Sequence, residues 1–302
     1  KKNKSKNPSI FQKMTIKYVD RPILIKAGGY SFRSRVANLD SNSDAVILLH
    51  GFPQTSISWR PVIKVLAEKG FRVVAFDQRG YSRGARPKGI DSYKIENLVN
   101  DVFEIADAVG FDRFHVVGHD WGSAVAWSTL MTNPDRIISL SALSIAHPRA
   151  FFEAVKMDKD QQKRSRYFLL FRSPWLPELL LKFNRMKVLR SLFYKYMPTV
   201  HTDEYLQVFS ESGALTSALN WYRAMGKGIE SSLDPAIEKP VLFIWGNRDP
   251  AAGRKAVELQ EKYIKGSYKK VELDAGHWLL ERKTDVVIES ILSHIEKNNT
   301  HQ

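Results

Sequence analysis

The sequence predicts an α/β fold, in which a mostly parallel eight-stranded sheet is flanked by helices and interrupted by a helical cap. Three observations carry this. Short continuous apolar runs alternate with segments of helical length and spacing through the first half of the chain. Unbroken apolar runs of this kind suit parallel strands buried on both faces. After His147-Pro148 the chain turns aromatic, basic and helical in period for about 85 residues, and the strand pattern returns only at Val241.

The elements follow in order. Four of the first six residues are lysine, so residues 1–13 are expected to form a solvated tail. Thr15 to Val19 and Phe32 to Val36 alternate polar with apolar, which suits antiparallel strands at one edge of the sheet. Val46 to Leu49, Phe71 to Phe76, a run closing at Val116-Val117, and Ile137 to Leu143 are the next four strands. Residues 57–69, 94–109 and 122–133 supply the helices between and beside them. Residues 147–232 are the cap, expected over the carboxyl ends of the strands, where ligands of open α/β sheets bind. Val241 to Trp245 and Lys270 to Leu273 complete the sheet. The core is thus expected from 14–146 and 233–302.

Composition narrows the function classes. At 302 residues the chain has room for one large domain with an insertion. Apolar residues at 43% and charged residues at 26% suit a soluble globular protein. No apolar run is long enough to cross a membrane. Zero cysteines exclude disulfides, thiolate metal sites and a cysteine nucleophile together. The first residue is Lys1, so the native N-terminus is not seen. A cytoplasmic location is the favoured expectation, with secretion left open. The formal charge is +14, and residues 161–202 hold a concentration of it, from Lys163 to Lys195. A weak contact between this basic cap and an anionic surface is one reading; an ordinary lysine-rich surface is the other. Nothing resembles a nucleic-acid-binding motif, and the oligomeric state is not legible.

Gly118-His119-Asp120-Trp121-Gly122 follows the apolar run that starts at Phe114. A glycine on each side of a central residue, between a strand and a helix, is the pattern of a nucleophile elbow. Asp120 occupies the centre, where serine is the usual choice. A serine attacking a saturated carbon would form an ether that water does not readily cleave. A carboxylate attacking the same carbon forms an ester, which activated water can hydrolyse. Asp120 therefore points to an sp3-carbon electrophile, an epoxide or a carbon–halogen bond.

The ester needs a base to activate water. Among eight histidines, His277 sits in Ala275-Gly276-His277-Trp278 just after a strand, where a loop reaches the carboxyl edge. An orienting acid between nucleophile and histidine in chain order is supplied by Asp249, after the strand ending at Trp245. The alternative slot, Ser144 to Phe152, holds no carboxylate. Backbone N–H groups of Phe52 and Trp121 are the expected oxyanion donors, each worth roughly 3–4 kcal/mol of barrier.

Five segments in this order resemble the α/β-hydrolase superfamily, specifically its epoxide hydrolase and haloalkane dehalogenase branch. They are His50-Gly51-Phe52-Pro53, Asp77 to Ser82, the Asp120 pentapeptide, Trp245 to Asp249, and Gly276-His277-Trp278. The resemblance spans about Met14 to Ile295 and implies Asp120 as nucleophile with His277 and Asp249 as its base and orienting acid. Epoxide hydrolases of this branch place two cap tyrosines over the nucleophile. Asn220-Trp221-Tyr222-Arg223 matches one such element, and Tyr167, with Pro174 seven residues on, matches the other. The resemblance implies a metal-free, cofactor-free enzyme acting on a small hydrophobic epoxide and water. Phe52, Trp121, Trp175 and Trp278 are expected to contact substrate, while Phe151, Phe168, Phe171, Trp175 and Phe183 suggest a largely apolar pocket or, equally, the core of the cap. Dehalogenases of the branch commonly carry asparagine where Phe52 stands, and the fluoroacetate type carries arginine where Trp121 stands. Dehalogenation with the same residues, and a catalytically silent protein holding a hydrophobic ligand, are the alternatives.

Overall fold

The computed structural model describes residues 18–193, 197–225 and 236–300. The expected tail 1–13, Lys195 and the expected cap end at 232 lie outside the described residues. Among the described residues there are eight strands: β1 (Tyr18–Ala27), β2 (Tyr30–Ala37), β3 (Ala45–Leu49), β4 (Arg72–Phe76), β5 (Phe114–His119), β6 (Ile137–Leu143), β7 (Val241–Gly246) and β8 (Tyr268–Leu273). They form one sheet in the order β1-β2-β4-β3-β5-β6-β7-β8. β1–β2 and β2–β4 are antiparallel, and every later pairing is parallel.

Helices α1 (Arg60–Glu68), α2 (Ile95–Ala108) and α3 (Trp121–Thr132) flank the first half of the sheet. Between β6 and β7 come α4 (Pro148–Met157), α5 (Lys159–Arg164), α6 (Tyr167–Arg172), α7 (Leu176–Ser191), α8 (Thr199–Ser210) and α9 (Ala214–Ala224), the cap. After β7 follow α10 (Arg254–Leu259), α11 (Leu279–Arg282) and α12 (Thr284–Lys297).

Successive residues of a strand face opposite ways, and here both faces are buried. Ile47, Leu49 and Val116 belong to one apolar cluster with residues of α2 and α3. Val46, Leu48 and Val117 belong to a second with residues of α1 and α12. Continuous apolar runs are the consequence, which is why the sequence displays them. The edge strand β1 is longer than the alternation from Thr15 to Val19 suggests. Its pairing with β2 shifts register between Val19 and Ile23, around Pro22, which has no N–H to give a ladder and is tolerated at an edge. That irregularity hides the strand from a period-two reading.

Parallel register places the functional loops together. Leu49 pairs with Gly118, His119 with Leu143, Leu143 with Ile244, and Gly246 with Leu273. The segments after β3, β5, β6, β7 and β8 therefore leave the sheet at one edge. The cap is tied over that edge by polar contacts. Glu204 of α8 accepts from Arg35 at 2.6 and 3.2 Å and from Thr55 at 2.6 Å. The Trp221 indole of α9 donates to the Arg79 carbonyl at 2.9 Å.

Candidate active site

Asp120 holds φ +54°, ψ −122°, between β5 and α3. A non-glycine residue there is strained and persists only where its surroundings over-determine it. The glycines do that by absence. A Cβ on Gly118 would collide with the Gly122 carbonyl, a Cβ on Gly122 with the Leu49 carbonyl, and a Cβ on Gly51 with the Asp120 carboxylate itself. The turn thrusts a buried carboxylate toward the cap at the N-terminus of α3, where the helix dipole favours negative charge. The Phe52 backbone N–H donates to Asp120 Oδ1 at 2.8 Å, and the Trp121 backbone N–H also donates to this carboxylate. His277 Nε2 lies 3.5 Å from Asp120 Oδ2. Burial raises the Asp120 pKa, but the hydrogen bond and charge of His277 outweigh it, so the group stays below the ordinary carboxylate value.

His277 Nδ1 lies 3.0 and 3.1 Å from the two oxygens of Asp249. Asp249 is fully buried and also accepts the Ala251 N–H at 2.8 Å and the Ser144 hydroxyl at 2.5 Å. Burial alone would neutralise it; the His277 charge and these donors hold its pKa below normal instead. On His277 the balance runs the other way. Burial pulls its pKa down, yet Asp249 and Asp120, one at each ring nitrogen, raise it well above 6.5. The resting arrangement is an imidazolium between two carboxylates.

Behind this cluster lies a second buried chain. His119 Nε2 is 2.9 Å from the His277 carbonyl oxygen and must donate to it. His119 Nδ1 is 3.1 Å from the Gln54 amide, whose other end is 2.6 Å from Glu281 Oε1. Burial pushes His119 down to about 4, so its imidazole is neutral and Nδ1 is an acceptor. Gln54 is placed with Oε1 at His119 Nδ1 and Nε2 donating to Glu281 Oε1; a neutral His119 is satisfied there only with that amide turned over, and the turned amide in turn asks Glu281 to donate as the protonated acid. Glu281 is partly exposed as a residue, but its Oε2 is enclosed with no hydrogen-bond partner, and burial pushes its pKa up to about 7.

Tyr167, at the start of α6, and the buried Tyr222 of α9 stand with Trp121 and Phe52. Tyr222 ring centroids are 5.1 Å from Trp121, 5.8 Å from Phe52 and 6.1 Å from Tyr167. Burial raises both phenols well above 10, Asp120 adds to each, and Tyr222 is further raised by Tyr167. The Trp121 indole N–H lies within hydrogen-bonding reach of the Tyr222 hydroxyl. A cavity of about 310 Å³ starts at Asp120, Trp121 and Tyr167 and is walled by Phe151, Phe168 and Trp221. It follows one face of α3 through Ala124 and Ser128 to Thr132, a length of roughly 18 Å at 1.5 Å per residue.

Some expected contacts fall elsewhere. Trp175 is 69% exposed on the outside of the cap and Phe183 is 66% exposed, so neither lines the cavity. Phe171 packs against Phe52 and Tyr222 at 5.5 and 5.0 Å between centroids, as cap core. Trp278 walls His277 at 4.8 Å and donates to the Leu192 carbonyl, away from the cavity. Phe52 brings its backbone N–H to Asp120, while its ring lies outside the cavity wall. Sequence reasoning missed Ser144, Gln54, His119 and Glu281. His119 had a signal, being next to Asp120; Ser144 had only its position, in the slot searched for a carboxylate.

The family model for the alpha/beta hydrolase fold matches residues 44–284. The chain is 34% identical over 256 residues to "AB hydrolase superfamily protein YfhM" of Bacillus subtilis, covering 83% of this chain and 90% of that protein. It is 30% identical over 286 residues to "Epoxide hydrolase 4" of Homo sapiens, covering 91% and 78%.

The chain belongs to the α/β-hydrolase superfamily, in its epoxide hydrolase branch.

Among solved structures, an epoxide hydrolase of Bacillus megaterium in complex with an inhibitor superimposes on this α/β-hydrolase with a TM-score of 0.83 at 25% identity, covering 91% of this chain and 100% of that one. The eight-stranded sheet of this hydrolase is the fold of the superfamily.

Proposed function

We propose that this hydrolase opens an epoxide to a vicinal diol through an ester on Asp120. One observation carries the reading. Tyr167, on the cavity wall with Asp120, and Tyr222, packed against Trp121, are phenols that burial keeps protonated, and both feel the charge of the ionised, buried Asp120. An opening epoxide develops negative charge on an oxygen that stays attached and must be protonated, and a phenol supplies a proton at neutral pH without being ionised itself.

Asp120 attacks a ring carbon, the C–O bond breaks, and the ring oxygen takes hydrogen bonds and then a proton from the Tyr167 and Tyr222 side. A hydrogen bond from the Trp121 indole to Tyr222 leaves the Tyr222 O–H free to turn to substrate. Ester formation removes the Asp120 charge, one of the two that raise His277, so the His277 proton passes to the tyrosinate left by ring opening and His277 becomes a base. It then takes a proton from water, the hydroxide adds to the ester carbonyl, and the Phe52 and Trp121 N–H groups stabilise the oxyanion. Collapse expels the alkoxide, which takes the proton of the added hydroxide, so the diol leaves and the carboxylate is restored. The balance is one epoxide and one water to one diol, and no cofactor enters it. The apolar cavity suits a small hydrophobic epoxide.

A departing halide would need donors and no proton. Phe52 offers no side-chain donor, and the Trp121 indole faces Tyr222, both of which disfavour dehalogenation. The test is the intact mass of His277→Gln offered an epoxide and a bromoalkane of different mass. An adduct of the whole epoxide, absent in Asp120→Asn/His277→Gln, is expected. An adduct of the alkyl group without bromine would make the enzyme a dehalogenase.

A further inference from the structure

The outer face of the cap is both apolar and basic. On α6, α7 and their junction, Leu169 is 76% exposed, Trp175 69%, Phe183 66% and Leu179 60%. The pattern on α7 is ordered. At 3.6 residues per turn, Leu176, Leu179 and Leu180 fall within an arc of about 100°, beside the line of Pro177 and Leu181, which are buried. The helix thus has an inner apolar line that meets the cap core and a second apolar flank that is part-exposed to solvent, Leu176 at 37%, Leu179 at 60% and Leu180 at 41%. Trp175 precedes it in a left-handed conformation (φ +49°), and the α7 kink begins at Phe183, whose φ −54°, ψ 142° is extended rather than helical. A large side chain marks each end of the flank.

The same stretch of the cap is rich in exposed cations. Lys163, Arg166, Arg172, Lys182, Lys187 and Arg190 are all exposed. Glu178 is the sole acidic residue from 161 to 192, and Arg223 already binds it at 2.8 and 2.9 Å. The segment therefore presents positive charge without internal compensation.

We propose that this face docks the enzyme on an anionic phospholipid bilayer, with the leucine flank, Trp175 and Phe183 entering the headgroup boundary and the lysines and arginines meeting lipid phosphates and carboxylates. Large apolar side chains left exposed together along one helix and at its two ends mark an interaction site. Charge chooses the occupant. A second copy of the chain would press six cations against the same six, whereas an anionic leaflet attracts each of them, roughly fivefold in affinity per cation. Shape agrees, since the leucines stand on the outside of a helix rather than in a groove. An apolar flank, a basic border and an indole at the edge are the composition of helices that lie in the interface plane. The attachment is peripheral, because among the described residues no helix is long and apolar enough to cross a membrane.

The test is co-sedimentation of the full chain with vesicles of phosphatidylcholine alone and of equal parts phosphatidylcholine and phosphatidylserine. Binding is expected to the second only, and to be lost at ~1 M salt, where the Debye length is about 3 Å. Lys182→Glu/Lys187→Glu is expected to lower the partition coefficient at least ~25-fold. Leu179→Gln/Phe183→Gln is expected to lower it while the urea-unfolding midpoint stays unchanged, which separates lost docking from lost folding. No binding to either vesicle, equal binding to both, or insensitivity to the leucine and phenylalanine changes would overturn the proposal. A concentration-dependent dimer in light scattering, dissociated by Leu179→Gln/Phe183→Gln without any vesicle binding, would assign the face to self-association instead.

Discussion

The Ser144 hydroxyl donates to Asp249 Oδ2 across 2.5 Å and lies 3.0 Å from His277 Nδ1. Ser144 holds φ +73° at the end of β6, so its backbone is strained to bring a hydroxyl to this point. It therefore helps fix both the charge of Asp249 and the direction of the imidazole. Ser144→Ala is expected to slow ester hydrolysis roughly ten- to a hundredfold, since a hydrogen bond to a charged group is worth about 1.5–3 kcal/mol. Ester formation, which the proposed mechanism assigns to Asp120 and the tyrosines, should change little. Rapid-mixing single turnovers separate the two steps, and equal slowing of both would argue against this positioning role.

Tyr167→Phe and Tyr222→Phe test the other half of the cycle. Each removes one donor from the place where the alkoxide forms, a loss of about 10²–10³ in rate by analogy with oxyanion donors. The expected defect is in ester formation, with ester hydrolysis close to wild type. The double variant should lose more than either single one. Wild-type ester formation in the double variant would remove the observation on which the epoxide reading stands.

Legibility in the sequence followed the range of the interactions. β5, Asp120 and α3 were readable because an apolar run, two glycines and a helix start lie within a dozen residues and each answers a local steric demand. Asp249 and His277 were readable from chain order and from the strands that precede them. Ser144 was not, because a serine after a strand is unremarked until Asp249, 105 residues on, is seen to accept from it. The chain from His119 through Gln54 to Glu281 joins residues 65 and 227 positions apart, and no periodicity encodes such distances. Trp175 misled because an aromatic in an amphipathic helix region is usually covered, whereas here the backbone turns it outward.

The charge balance around His277 predicts a pH signature. Asp249 and Asp120 both raise its pKa in the resting enzyme, and the ester abolishes the Asp120 contribution. The midpoint of the rise in ester hydrolysis with pH should therefore lie below the pH at which His277 deprotonates in the resting enzyme. Imidazole proton resonances give the second quantity and single-turnover hydrolysis gives the first. Coincident midpoints would mean that Asp120 does not hold the proton on His277.

Glu281 supplies a stability test with a definite sign. Its pKa is raised from 4.5 to about 7 in the fold, so between those values the folded chain binds more protons than the unfolded chain. Stability from this residue is therefore intact below about pH 4.5, falls as pH rises to about 7, and stays reduced above that. At about 1.4 kcal/mol per pKa unit the full loss is on the order of 3 kcal/mol, an upper value because Gln54 can turn its amide to an ionised Glu281. Glu281→Gln mimics the protonated acid at every pH and keeps a partner for Gln54. The variant should match wild type in urea unfolding at pH 4.5 and exceed it at pH 8. A stability difference that is the same at both pH values would show that Glu281 is ionised throughout, and that His119 and Gln54 hold their protons in the opposite arrangement.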